Sequence, residues 1–383
     1  MITIRQGSRV YDLLSILAYV GEYPMRSIHL LGNASSWNKL ILRLSQKQDF
    51  RFTDSDEIMS CRLLTISGSG RLRSVRIYKA ALPVLRHAIP EAYDYYMERY
   101  GHVRHTGKEM EIDRAHRVAE TAAMCALSKI HTPQYELPQL QTVGRRIVVP
   151  PFPSFYMSRE LKYADEDGGN RTKFSRLTGA VFYPGGCYAI YNSRDALMKW
   201  NGQGELKTRL YLTQLARMNA DLPEVDSAIL LGTDYNLALR TLNALDSITR
   251  ADLRFDRIFS HIHYIPMNEF GTRLLKILTT PDWNEKLMCA LFDEEDRSYN
   301  RGNFEYDAVE GETYILSFLD SDIVRLTRFC AAIAGKTYSL EVLCFVDQVK
   351  FLRNILGNQI KLRVVDMSLV EEVMLDDRSD EDE

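Results

Sequence analysis

At 383 residues, with 45% apolar and 26% charged residues, the chain is long enough for two or three domains with buried cores. No run of about 18 apolar residues offers a spanning helix, and the opening MITIRQGSRV lacks the apolar core of a signal peptide. Six cysteines (Cys61, Cys125, Cys187, Cys289, Cys330, Cys344) stand without CxxC pairs or matching histidines, which argues against a zinc site and a disulfide framework. Together these features predict a cytoplasmic protein with no membrane partner.

The net charge of −3 is unevenly spread. Residues 1–110 carry sixteen Lys and Arg against ten Asp and Glu, a net of +6, whereas residues 371–383 carry eight carboxylates and Arg378, a net of −7. The basic front predicts a polyanionic partner. The acidic end, 369–383, predicts a solvated, disordered tail, with competition for the basic face or recruitment of a basic protein as the sharper alternative.

Taken in order, Arg9–Glu22 has apolar residues at helical spacing behind Ser8, a candidate N-cap. Pro24 opens a second short helix, PMRSIHLL, ended by Gly32. A third is predicted over Asn33–Gln48, with Trp37, Leu40, Ile41 and Leu44 on one face and Asn38, Lys39, Arg43 and Lys47 on the other. The period then changes, and CRLLTISGSGRLRSVRIYK predicts a β-hairpin with an SGSG turn, Arg71, Arg73, Arg76 and Lys79 lying at its tip and second strand. Three helices followed by a glycine-tipped hairpin is the order of a winged helix over residues 1–80. A helix fits the DNA major groove and arginines on a wing meet phosphates, so the eight polar residues just named are the candidate contacts to double-stranded DNA.

Residues 81–132 predict a helical connector. Its second helix contains His116 and Glu120, four apart, a spacing compatible with a metal and more simply with a surface pair or packing contact. The loop HTPQYELPQLQ marks a boundary. Beyond it, strand-like and helix-like segments alternate from FPSFYMSRELKYA to IKLRVVDM, which predicts an α/β domain over 145–368.

At HRVAETAAM (His116–Met124), SRLTGAVFYPGGCYAIYN (Ser175–Asn192), MKWNGQGELK (Met198–Lys207), FDRIFSHIHYIPMNEFG (Phe255–Gly271) and YILSFLDSDIVRL (Tyr314–Leu326), the chain resembles the replication-relaxation and MOBC-type relaxase-like mobilisation proteins of bacterial mobile elements. The resemblance implies a winged helix joined to a restriction-endonuclease-like mixed sheet with flanking helices, an α+β or α/β fold. It also implies an Asp on one strand and an (Asp/Glu)-x-Lys pair on the next, where carboxylates hold a divalent metal and the lysine activates water. Here Thr178 and Gly179 stand where the Asp is expected, and Tyr191 and Asn192 where the second acid is.

Two substitutes lie nearby: Glu160-x-Lys162, expected on the first strand, and Glu205-x-Lys207, at the start of a helix, with Lys199, Arg209 and Asp195 close in sequence. Glu160 and Glu205 are the candidate ligands for Mg²⁺ or Mn²⁺. Each triplet is also compatible with a solvated salt-bridging face. His261 and His263 share one face of a predicted strand without an evident third ligand, which suits packing, and Tyr183, Tyr188 and Tyr191 are explained as sheet residues rather than nucleophiles.

Two functions follow as expectations. One is a relaxase-like endonuclease that recognises an origin of transfer or replication and nicks DNA by metal-dependent hydrolysis. The other is a non-catalytic DNA-binding regulator or accessory factor on a degenerate nuclease fold. Either is compatible with a homodimer and with other transfer or replication proteins as partners.

Overall fold

A computed structural model describes residues 1–52, 57–101, 107–132, 152–162, 172, 175–198, 202–220, 222, 224–245, 254–297 and 305–375. The chain divides into two compact units, the first holding Met1–Leu127 and the second Ser128–His131 with the described residues from 152 onward. Both mix helices with small sheets, an α+β architecture.

In the first unit, strand β1 (Ile2–Ile4) leads into helix α1 (Arg9–Val20). Ser8 caps this helix by accepting from the Tyr11 amide at 3.3 Å, and Val10, Leu13, Leu14 and Leu17 bury its inner face. Gly21, at φ 82°, ends it, and any Cβ there would collide with the Tyr100 ring. Strand β2 (Glu22–Pro24) follows, then a 3₁₀ helix, Met25–Leu31, in place of the expected α-helix, with Ser27 outside helical geometry.

The third helix, α2 (Ala34–Leu44), is shorter than the predicted Asn33–Gln48. Asn33 caps it by accepting from the Ser36 amide at 3.0 Å, and its last residues turn into β3 (Gln48–Phe52). β3 pairs in parallel with β1 and antiparallel with β4 (Ile58–Cys61), a small sheet that the polar, irregular QDFRF and IMSC did not announce. The expected hairpin forms as β5 (Leu64–Ser67) and β6 (Ser74–Ile77), its tip a 3₁₀ turn at Gly70–Leu72. β6 also pairs with β2, with Glu22 opposite Arg76, to complete a three-stranded antiparallel sheet in the order β2-β6-β5.

Helices α3 (Leu82–Ala88), α4 (Pro90–Tyr100) and α5 (Glu109–Leu127) supply the helical character expected of residues 81–132. They fold back onto the unit rather than leading away from it: α4 packs on α1, with Tyr100 donating to the Tyr19 carbonyl at 3.0 Å, and α5 packs on β2, the Met25–Leu31 helix and α1.

The second unit opens with β7 (Ser154–Met157), after which the chain turns at once into helix α6 (Ser158–Lys162). Strands β8 (Leu177–Tyr183) and β9 (Gly186–Arg194) form an antiparallel meander with β7, and all seven residues of β8 are buried. Helix α7 (Gly202–Ala220) carries the chain to β10 (Ser227–Gly232), and α8 (Tyr235–Leu245) to β11 (His261–Pro266). Both strands run parallel to β9, giving the order β11-β10-β9-β8-β7. Near-continuous apolar runs such as AILL suit strands covered on both faces.

Helices α9 (Glu269–Leu278) and α10 (Trp283–Leu291) follow, then a second sheet in sequence order: β12 (Ala308–Glu310), β13 (Thr313–Ser317), β14 (Ser339–Cys344) and β15 (Lys361–Val364). Its last three strands are parallel, joined through α11 (Ile323–Ile333) and α12 (Val349–Leu356). Helix α13 (Met367–Leu375) corrects the start of the expected disordered tail, because Val370 and Met374 are buried; residues 376–383 lie outside the described residues. The loop expected after His131 also lies, beyond Thr132, outside them, as does Lys199.

Candidate functional site

The first unit places the candidate DNA contacts on two elements. Helix α2 buries Trp37, Ile41 and Leu44, and the Trp37 indole donates to the Leu31 carbonyl at 2.7 Å, anchoring the helix on the preceding turn. Its other face exposes Lys39, Leu42 and Arg43, with Asn38 half-buried and Lys47 exposed just past its end. At its first turn the Ser36 hydroxyl accepts from the Arg9 guanidinium at 2.8 Å.

The four cations are not equivalent: Arg71 and Arg73 lie at the hairpin tip, Arg76 on β6, and Lys79 in the 3₁₀ turn Lys79–Ala81 rather than on the expected second strand. Arg73 and Lys79 are exposed. Arg71 is exposed but paired with Glu109 of α5. Arg76 is half-buried and donates to Ser67 across the hairpin.

Where α5 covers β2, a polar cluster is buried. His116 and Glu120 are both fully buried, not surface residues. Glu120 accepts from the Ser27 hydroxyl and lies 3.9 Å from the Arg26 guanidinium. His116 lies 3.6 Å from a Glu22 carboxylate oxygen, and Glu22 in turn accepts from the Ser74 hydroxyl at 3.0 Å. Burial holds the imidazole below its usual range, against the opposing pull of Glu22.

In the second unit both acid-lysine pairs sit on helices. Side chains two apart on a strand share a face, but on a helix they point about 200° apart. Glu205 is therefore fully buried while Lys207 is exposed. Glu160 is buried and Lys162 half-buried, and the expected strand position of Glu160 is corrected to α6. Glu160 accepts from the Met157 amide at 2.6 Å, closing the strand-to-helix turn.

Glu205 has a more telling position. From the first turn of α7 it reaches the start of β8, accepting from the Ser175 hydroxyl at 2.7 Å and the Arg176 amide at 2.8 Å, and it acts electrostatically on the buried Tyr191 of β9. Burial pushes its carboxyl above the usual range although these bonds oppose the shift. Thr178 donates to the Ile190 carbonyl and Asn192 accepts from the Arg194 amide, so these two of the four residues standing where acids were expected bond within the sheet. Asp195 is exposed, and Arg209 donates to the Val225 and Ile258 carbonyls rather than facing Glu205. Among the described residues, no group of three or more His, Cys, Asp or Glu side chains is placed to hold a metal ion.

The HIH pair turns out to be part of a network that sequence spacing did not show. Asp322, fully buried, caps α11 through the Val324 and Arg325 amides, accepts from the Ile262 amide at 3.1 Å, and takes the Nδ1 of His261 at 2.7 Å. That bond raises the His261 pKa above its usual range and holds Asp322 below the usual carboxylate range. His263 meets the Asp320 carbonyl at 2.9 Å through its Nδ1. Period two on β11 sets both rings toward Asp320–Asp322, some sixty residues on, which only the fold brings near.

No protein-family model, curated protein or solved structure matches this chain.

Proposed function

We propose that the chain is a DNA-binding protein whose first unit docks on duplex DNA as a winged helix does. The order α1, β2, short helix, α2, then the β5–β6 hairpin paired with β2, is what that mode of docking requires. The observation that carries the reading is the exposed Lys39–Leu42–Arg43 face of α2, held firmly from behind by Trp37, together with exposed Arg73 and Lys79 on the hairpin and the turn after it. Phosphate contacts from such cations release counterions, so binding weakens steeply with salt.

For the second unit the first reading is a non-catalytic role: an accessory or regulatory protein at an origin of transfer or replication of a mobile element, assembling as a homodimer or with other transfer or replication proteins. Its support is that each candidate carboxylate already accepts from its own chain, with its lysine turned elsewhere. A second reading, metal-dependent nicking with Mg²⁺ or Mn²⁺, draws on the buried Glu205 beside Tyr191, between the two strands where the resemblance implies the acids.

The test is a fluorescence binding titration at several salt concentrations, paired with a nicking assay on supercoiled plasmid with each metal and with EDTA. Salt-dependent binding lost in a Lys39→Ala, Arg43→Ala variant, without open circles, supports the first reading. Metal-dependent open circles from the wild type, absent in Glu205→Gln, establish the second. Affinity unchanged in the double variant removes the DNA face proposed here.

A further inference from the structure

In the first unit, His116 of α5 is sealed against β2 and the Met25–Leu31 helix, and neither ring nitrogen has a hydrogen-bond partner among the described residues. A buried imidazole in that state tolerates being neutral far better than being charged, because a cation there gives up its hydration and gains no donor-acceptor bond. The charged groups around it come from each packed element. β2 brings Glu22, at 3.6 Å, and the 3₁₀ helix brings Arg26, which opposes a second cation. α5 itself brings Asp113 and Glu120, of which Asp113 already pairs with Arg26 and Arg117. The turn at Gly70–Leu72 brings Arg71, paired with Glu109, and the charged residues of α1, Arg9 and Asp12, are exposed.

We propose that His116 is a proton-operated latch: neutral, it lets α5 close over β2 and the Met25–Leu31 helix, and protonated, it drives α5 off them. The latch reaches the hairpin as well. Glu22, the carboxylate that faces the ring, also accepts from Ser74 and lies opposite Arg76, both on β6. The ring faces one oxygen of that carboxylate and Ser74 donates to the other, so α5 opening reaches the base of the hairpin through Glu22. The proposal concerns α5 docking and does not depend on the DNA-binding reading.

The experiment uses the full chain without DNA. Hydrogen exchange over Glu109–Leu127, corrected for the intrinsic pH dependence of exchange, is followed from pH 8 to pH 5 in the wild type and in His116→Gln. Opening of α5 is expected to rise about tenfold per pH unit below roughly 6.5 in the wild type, as linkage requires of a base bound more weakly in the closed state, and to stay flat in His116→Gln. Parallel profiles in the two proteins overturn the latch.

An NMR titration of the His116 ring in the wild type keeps the idea testable if His116→Gln does not fold. A midpoint below about 6.5 that falls further in Glu22→Gln supports the latch. A midpoint at or above that value, or one that rises in Glu22→Gln, overturns it.

Discussion

His116 in the first unit and His261 in the second are the same side chain in opposite surroundings. His116 is fully buried with no hydrogen bond at either nitrogen among the described residues, so its protonation is penalised. His261 keeps about a quarter of its side chain exposed and holds a buried carboxylate at 2.7 Å, so its protonation is favoured. The difference extends beyond the two rings. Asp322 and Glu205 in the second unit each accept several bonds from their own chain, a fixed polar scaffold. In the first unit the cluster under α5 contains an imidazole that could go either way with pH. Buried polar groups that are well partnered specify one structure, and those left short of partners are where a structure can give way.

The sharpest test of that contrast is Asp322→Ala. It removes the acceptor of three amides and of His261 at once, and leaves those donors buried beside β11 and α11. A loss of about 3–5 kcal/mol from the unfolding free energy of the second unit is expected. Denaturant unfolding followed by a probe in each unit measures it, and the first unit should be unaffected. Glu205→Ala comes next, at about 2–4 kcal/mol, because Ser175 and Arg176 lose their shared acceptor. A loss within 0.5 kcal/mol or so for either variant would remove the idea of a fixed scaffold.

The two units should also respond to pH with opposite sign. His261 has its pKa raised, so its contribution is fully present below about 6.5 and is lost as pH rises through the higher folded value. Asp322 has its pKa lowered, so its contribution is present above about 3.9 and is lost as pH falls through the lower folded value. The second unit is accordingly most stable in mild acid, where α5 of the first unit is expected to open. Unit-resolved hydrogen exchange between pH 5 and 8 checks this, and His261→Gln should flatten the alkaline loss in the second unit alone. Stability of the two units changing in the same direction across that window would break the comparison.

How much of this was legible beforehand depended on the range of the interaction. Ser8, Pro24, Gly32, the apolar spacing of α2 and the SGSG hairpin are local signals, and the elements they announce are present. The Met25–Leu31 segment was short enough for a 3₁₀ helix to replace an α-helix. The β1-β3-β4 sheet was missed because three- to five-residue strands with polar residues carry almost no period. The helical setting of Glu160 leaves little local signal, because the five residues SRELK follow directly on the apolar strand SFYM and are too few to show a helical period. The sites themselves were the least legible. His116 needed Glu22 and Asp322 needed His261, partners 94 and 61 residues away, and spacing along the chain says nothing about them.

The proposed DNA face extends the same contrast from buried groups to exposed ones, with smaller effects. Arg73 and Lys79 are exposed, so replacing both by Ala should lower DNA affinity and reduce the salt slope by about 2, one unit for each phosphate contact. A slope that does not move would take these two residues out of the interface.

Arg71 gives the smallest and most discriminating effect, because its guanidinium already holds Glu109 at the first turn of α5. Docking on DNA requires that pair to open, and the carboxylate then competes with phosphate for one cation. Arg71→Ala should therefore cost less affinity than Arg73→Ala. Glu109→Ala should do the reverse and strengthen binding, with the salt slope rising by up to about 1 as Arg71, no longer held by Glu109, meets a phosphate. The stability change in either variant should stay within about 0–1 kcal/mol, as for other exposed ion pairs. Glu109 lies on the helix whose docking His116 controls, so acid should have the same direction of effect as Glu109→Ala on this one contact, by carrying Glu109 away from Arg71. Binding measured at pH 5.5 and 7.5 in the wild type and in Glu109→Ala separates the two causes: the gain from the substitution should shrink in acid. A gain of equal size at both pH values would show that α5 stays closed over the hairpin, and the two units would then differ in their chemistry but not in their mobility.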